Sequence, residues 1–147
     1  MLTAVIAATV ASACPTADPR AALLAIHEDA RKAHLTGNAE LLAKGADAQV
    51  TMADGGVVRS ETPGGIQAFF TGYFQRIRYS EWSDQASPIV AISPDGQTGW
   101  MAVGIAARYT TADAPDAVKS FKSSWIATYR KVGCDWKMTG IASNVVQ

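Results

Sequence analysis

The sequence lacks the short motifs that identify several large classes of enzymes. It contains no GxSxG nucleophile elbow, no glycine-rich phosphate loop and no CxxC pair. It also lacks net charge, since thirteen basic residues balance thirteen acidic ones, and no Lys/Arg cluster is interleaved with aromatic residues. Nucleic-acid binding depends on such a basic surface, so we expect no nucleic-acid partner.

No apolar run is long enough to span a membrane, and nothing indicates a second domain. The 147 residues, 48% of them hydrophobic, suffice for one core. Residues 1–13 are apolar or small and end in Ala11-Ser12-Ala13, a signal-peptide cleavage pattern. We therefore predict a signal peptide at 1–13, a single domain at 14–147 and a periplasmic or secreted protein. The alternative for 1–13 is the N-terminal tail of a cytoplasmic protein.

Cysteine is scarce, with Cys14 and Cys134 alone in the chain. Cys14 follows small residues and would be lipidated if Ala11-Ser12-Ala13 acted as a lipobox, which is the one case in which we expect a membrane partner. It would instead pair with Cys134 in an oxidising compartment, and two unpaired thiols are the third alternative. The sequence leaves all three open.

Three helices are predicted from their caps and from apolar spacing. Asp18-Pro19 begins the first and Gly37 ends it, Asn38 caps a short second helix over Ala39–Lys44, and Thr62-Pro63 opens the third. The first helix has a stripe at helical spacing that includes two histidines: Leu23, Ile26, His27, Ala30 and His34. The stripe of the third is Ile66, Phe69, Phe70, Tyr73, Phe74 and Ile77.

Strands are predicted where the apolar period changes to two. A hairpin with the inward series Ala48, Val50 and Met52 turns at Asp54-Gly55, and a strand over 79–93 is interrupted at Ser87-Pro88. Residues 99–110 are apolar on both faces, which is typical of a strand covered on both sides. We expect a polar loop at 111–118 and a final hairpin that turns at 133–135.

This order of elements resembles the NTF2-like superfamily, and more closely its SnoaL-like and DUF4440-type bacterial members. The resemblance rests on AHLTGNAELL at 33–42, ADGGVVRSETPGGIQAFF at 53–70 and WIATYRKVGCDWKMTGIASN at 125–144. It implies an α+β cone with three N-terminal helices packed on a curved, mostly antiparallel sheet. It also implies a pocket between the sheet and the first and third helices, and a homodimer formed through the outer sheet face.

Related ketosteroid isomerases and polyketide cyclases use an aspartate on the first strand as general base. The position that looks equivalent here carries Met52, and Asp54 lies in the following turn. The resemblance therefore disfavours isomerase chemistry and leaves the fold unaffected.

His34 is the candidate acid or base, because it faces the sheet and imidazole titrates near neutral pH. The alternative is a core histidine bound to a backbone carbonyl. His27 cannot share a metal with His34, since seven residues of helix rise about 10.5 Å. HExxH also fails, because Arg31 stands at its last position. We predict no metal and no cofactor.

Aromatic side chains are the candidates for ligand contact, although such residues more often form core. The predicted ligand-binding residues are His27, Tyr73, Trp100, Trp125, Tyr129 and Asn144. Asn144 is included because simple alternation puts it on the same face as Trp136 and Met138.

Three functions remain open. The first is an exported protein that binds a small apolar or aromatic molecule. The second is an enzyme of the same fold, isomerase-, cyclase- or dehydratase-like, that uses His34 as general acid or base. The third is a dimerisation module whose pocket is vestigial. The missing first-strand aspartate favours the first or the third.

Overall fold

The computed structural model of the protein describes Cys14 and residues 18–146. The predicted signal peptide at 1–13 lies outside these residues. The helices are α1 Pro19–Thr36, α2 Ala39–Lys44 and α3 Pro63–Arg76. The strands are β1 Ala46–Asp54, β2 Val57–Glu61, β3 Ile77–Asp84, β4 Ile89–Ile92, β5 Thr98–Thr111, β6 Ala114–Val132 and β7 Asp135–Val146. Within the described range, no helix combines the length and the apolar character needed to cross a membrane.

The helix ends follow the predicted capping residues. The Asp18 carboxylate accepts a hydrogen bond from the Arg20 amide, and Gly37 ends α1 with a φ of 68°, a conformation that costs glycine little. Asn38 and Thr62 cap α2 and α3 in the same way. One boundary differs, because α3 stops one residue before Ile77, which begins β3.

The sheet has seven strands in the order β2-β1-β7-β6-β5-β3, and β4 pairs with a further part of β5. Among the described strands, β1 and β7 form the only parallel pair, and the other pairs are antiparallel. Helix α1 packs against β3 and β4, while α3 packs against α2, β1 and β3. The architecture is the predicted α+β arrangement of three helices on a mostly antiparallel sheet.

Two of the predicted strand details are wrong. Ala48 is exposed, because the register of β1 against β7 shifts between Ala46 and Thr51 and turns Ala48 outward. The segment 111–118 is not a loop, since Thr111 pairs with Ala114 and β6 begins there. Cross-strand pairing overrides the weak strand propensity of Ala and Asp, and Pro115 sits where the β5–β6 register shifts.

The main core lies between the inner face of the sheet and α1. It contains Leu23, Trp82, Met101, Val103, Ile105, Ala107, Ala127, Tyr129 and Trp136. A second cluster of Ala46, Val50 and Ile66 joins β1 to α3. Within one chain, β5 is buried on its inner face only, because Trp100 on the outer face is 40% exposed.

A disulfide joins Cys14 to Cys134. It ties the segment before α1 to the turn between β6 and β7, and it is the pairing alternative among the three that the sequence left open. The two cysteines are separated by 120 positions in the sequence, so the bond closes a long loop. Cross-links across long loops restrict the unfolded chain most, so this bond stabilises the fold.

Candidate functional site

A cavity of about 620 Å³ lies between the inner face of the sheet and the helices α1, α2 and α3. Nine aromatic side chains line it: Phe69, Phe70, Tyr73, Tyr79, Trp82, Phe121, Trp125, Tyr129 and Trp136. Charged side chains also border it, and all but Lys137 belong to exposed residues: Asp29, Lys44, Asp54, Arg59, Asp135 and Lys137. The site is therefore a cavity lined by aromatic rings, and its charged side chains lie close to solvent.

His34 is held in one tautomer by its own helix. Its Nδ1 lies 2.7 Å from the carbonyl oxygen of Ala30, one turn earlier in α1. A carbonyl oxygen can only accept, so Nδ1 carries the hydrogen and Nε2 carries the lone pair. The ring stacks on Trp82 at a centroid distance of 3.7 Å. Burial lowers the pKa of His34 to about 4, so the imidazole is neutral at pH 7.

The second nitrogen of His34 remains accessible. Among the described residues, the enclosed polar side-chain atoms without a partner are Arg31 Nε, Trp82 Nε1 and Thr111 Oγ1. His34 Nε2 also has no partner within this part of the chain, but unlike those three atoms it is not fully covered by protein. Because His34 lines the cavity, its Nε2 is an acceptor that a ligand can reach.

His27 has a different partner although it lies on the same stripe. Its Nε2 is 2.8 Å from Oδ1 of Asp84, the last residue of β3, so the contact joins α1 to the sheet. His27 lines the cavity and is 5% exposed. The sequence analysis did not single out Asp84, because nothing within the predicted strand over 79–93 marks it as the partner of a residue on α1.

Two tyrosines close another part of the wall. The hydroxyl groups of Tyr73 and Tyr79 lie 2.5 Å apart and share a hydrogen bond. Burial raises the pKa of both, and it also raises the pKa of Tyr129, which lines the cavity as well. All three phenols are therefore protonated and uncharged at neutral pH.

Five of the predicted site residues line the cavity: His27, His34, Tyr73, Trp125 and Tyr129. The other two, Trp100 and Asn144, do not line it. Trp100 lies on the outer face, because its neighbour Met101 points inward and side chains alternate along a strand. Asn144 also lies outside the cavity, where its amide oxygen accepts a hydrogen bond from Ser124 at 3.0 Å.

A β-bulge explains the position of Asn144. Met138 pairs with Tyr129 and Gly140 pairs with Thr128, which leaves Thr139 as one extra residue in β7. An extra residue reverses the alternation beyond it. After the bulge, Ile141, Ser143 and Val145 are the residues that line the cavity.

No described group of three or more His, Cys, Asp or Glu residues between Asp18 and Val146 has the arrangement needed to hold a metal ion. Met52 lines the cavity at the position where the resemblance implied the aspartate of the isomerases, and the exposed Asp54 borders it. Besides the charged side chains that border it, the cavity therefore offers rings and the uncharged hydrogen-bonding groups of His34 and the three tyrosines.

No protein-family model and no curated protein matches the chain. Solved structures do match. A ketosteroid isomerase-like protein from Erwinia carotovora atroseptica has a TM-score of 0.71 at 8% identity, with 90% of this chain and 99% of that chain covered. An NTF2-like protein from Cytophaga hutchinsonii has a TM-score of 0.68 at 12% identity, with 88% and 99% covered. The chain has the NTF2-like fold.

A further matching structure is described as having a cystatin-like fold. This protein, from Caulobacter vibrioides, has a TM-score of 0.67 at 12% identity, with 88% of this chain and 90% of that chain covered. Identities this low show the NTF2-like fold alone. The closer resemblance to SnoaL-like and DUF4440-type proteins stays a prediction.

Proposed function

We propose that this protein binds a small, mostly apolar molecule that contains rings, in the cavity between the sheet and the helices. The cavity carries the proposal. Its volume of about 620 Å³ lies within the range of small-molecule sites, and nine aromatic side chains line its wall. Tyr129 and His34 supply uncharged polar groups, so the pocket favours a ligand without charge in its interior.

Binding is better supported than catalysis. A general acid at neutral pH must hold a proton that it can release, and the lowered pKa of His34, about 4, leaves it unprotonated. The same value makes its Nε2 a weak base. No described hydrogen bond joins Tyr129 to His34.

A vestigial pocket is also less well supported. Trp82, Trp125 and Trp136 form part of the wall around the cavity and leave its volume open. The partly exposed outer face around Trp100 supports a homodimer as an addition to binding, and the Cys14–Cys134 bond supports an oxidising, exported location. We include both in the proposal.

A matched pair of substitutions on α1 tests the binding function. Ala30 lines the cavity, whereas Ala21 is exposed on the same helix. We expect a ring compound such as 2-naphthol to raise the melting temperature of the wild type and of Ala21→Trp. At ten times the dissociation constant, the stabilisation is about 1.4 kcal/mol, or roughly 4 to 6 °C.

Ala30→Trp places an indole in the hollow and should abolish this rise while the protein still melts cooperatively. Native mass spectrometry of protein purified from its source adds a second readout, because it reports a retained ligand together with the disulfide and the oligomeric state. If a broad screen of ring compounds leaves the wild-type melting temperature unchanged, the proposal is wrong.

A further inference from the structure

We propose that the ligand carries a hydroxyl group that donates a hydrogen bond to His34 Nε2, so that His34 selects neutral hydroxylated ring compounds over their ethers and carboxylates. This inference rests on the proposed binding function and names the ligand class of the same cavity. It follows from which nitrogen of His34 is occupied, what surrounds the ring and which groups of the wall remain unpaired.

The occupied nitrogen decides what His34 can offer. Nδ1 donates to the carbonyl oxygen of Ala30 at 2.7 Å, a bond within one helix that does not depend on a ligand. Nε2, at the far side of the ring, is therefore an acceptor with no partner among the described residues. An acceptor on the wall of an apolar cavity is complementary to an O–H or N–H group of the ligand.

The surroundings keep His34 an acceptor. Its ring is stacked on Trp82 and meets Phe70, Phe74 and Tyr79 edge to face, at centroid distances of 5.5 to 5.8 Å. None of these neighbours has a negative charge that would stabilise an imidazolium. The hydroxyl of Tyr79 is already bonded to Tyr73. Protonation to accommodate an acceptor-only ligand is thus disfavoured.

Three head groups on one ring system then bind differently. A hydroxyl donates to Nε2. A methyl ether of the same ring cannot donate and leaves Nε2 desolvated without a partner, which we expect to weaken binding roughly 5- to 100-fold. A carboxylate presents only acceptor oxygens, so it would point its charge to the rim, where Lys44 and Lys137 lie, and make no use of His34.

The test uses naphthalene, 2-naphthol, 2-methoxynaphthalene and 2-naphthoate, with affinities measured by titration calorimetry at pH 7. The proteins are the wild type, His34→Phe, which keeps the ring and loses the acceptor, and His34→Gln, whose amide oxygen can accept. Asn144→Ala is the matched control, since Asn144 is a polar side chain outside the cavity.

We expect the wild type and Asn144→Ala to bind 2-naphthol roughly 5- to 100-fold more tightly than 2-methoxynaphthalene. In His34→Phe this ratio should fall to within about twofold, and His34→Gln should recover part of it. The affinity for 2-naphthoate should not respond to either change. In the wild type, the ¹⁵N resonance of His34 Nε2 should shift with 2-naphthol and not with its methyl ether, a readout that needs no variant.

The outcomes separate the two proposals. If naphthalene and its derivatives bind but the hydroxyl preference persists in His34→Phe, or if Nε2 does not respond to 2-naphthol, the role of His34 is overturned while the binding function stands. If none of the four compounds binds the wild type, and the broader screen of ring compounds is also negative, the binding function itself fails.

Discussion

The inner and outer faces of the same strands differ in what their apolar residues do. On β5, Met101 is 1% exposed and Trp100, its neighbour, is 40% exposed. On β6, Tyr129 is 4% exposed on the inner side, while Ile126 on the outer side is 54% exposed. One face encloses a hollow that the helices cover, and the other presents a partly apolar surface. The difference shows that apolar residues on both faces of a strand do not by themselves reveal which face holds the site.

Polar contacts differ between the faces as well. Arg130 on the outer side of β6 reaches across β7 to Asp47 of β1 with two hydrogen bonds. The Arg130 guanidinium lowers the pKa of Asp47 to about 2. The inner face has uncharged groups whose pKa values are shifted by burial, such as His34 and Tyr129. The ion pair with Arg130 thus shifts the pKa of Asp47 on the outer face, whereas burial shifts those of His34 and Tyr129 on the inner face.

Replacing a tryptophan on each face should give the largest contrast. Trp82→Ala should lower the free energy of unfolding by about 3 to 5 kcal/mol, because it removes a buried ring from the main core. Trp100→Ala should cost less than about 1 kcal/mol in the monomer, because that side chain is already part exposed. Urea denaturation of both variants measures the difference. Equal losses at low protein concentration would mean that the two faces are not distinct.

Lowering the pH should reduce the free energy of unfolding through His34, which lies on the inner side of the sheet. Its folded-state pKa of about 4 lies below the ordinary value, so the unfolded chain binds more protons between pH 6.5 and 4. His34 leaves the free energy of unfolding unchanged above pH 6.5, and this free energy decreases by roughly 3 kcal/mol as the pH falls towards 4. Unfolding free energies measured across this range should show this component in the wild type. His34→Phe should lack it, and an identical pH profile in both proteins would contradict the account.

Bulky substitutions at two neighbouring residues beyond the bulge at Thr139 test whether the bulge reverses the alternation of β7. Ser143 lines the cavity and Asn144 does not. Ser143→Trp should weaken 2-naphthol binding by more than about tenfold, which is 1.4 kcal/mol, and Asn144→Trp should change it less than about twofold. Titration calorimetry measures both. The reverse order would place the two residues on faces opposite to those described.

The smallest expected effect concerns Asp47 on the outer face. Because its pKa is lowered, its contribution to stability is present above its ordinary value near 4 and is lost as the pH falls through about 2. Asp47→Asn should remove this part of the acid dependence. Melting temperatures between pH 4 and pH 2 provide the measurement. An unchanged acid dependence in the variant would show that the ion pair does not stabilise the sheet.

Local signals account for what the sequence predicted well. Asp18, Asn38 and Thr62 cap the helices through contacts that span two or three residues, and the stripe of α1 places His27 and His34 on the cavity wall. Both helix ends and helical faces depend on neighbours within the same element. Such features can therefore be predicted from one sequence.

Contacts between distant residues account for what the sequence missed. Alternation fails after Thr139 because the register against β6 shifts, and nothing within β7 alone signals that shift. Asp84 becomes a partner of His27 across 57 residues. The first of these determines the face on which Asn144 lies, and the second determines the partner of His27.

The indole N–H signals of the four tryptophans test the central claim most directly. Trp82, Trp125 and Trp136 line the cavity, whereas Trp100 lies on the outer face. Adding 2-naphthol to ¹⁵N-labelled protein should shift the three cavity signals and leave that of Trp100 in place, with assignments from single Trp→Phe variants. A shift confined to Trp100, or no shift at all at saturating 2-naphthol, would contradict the account.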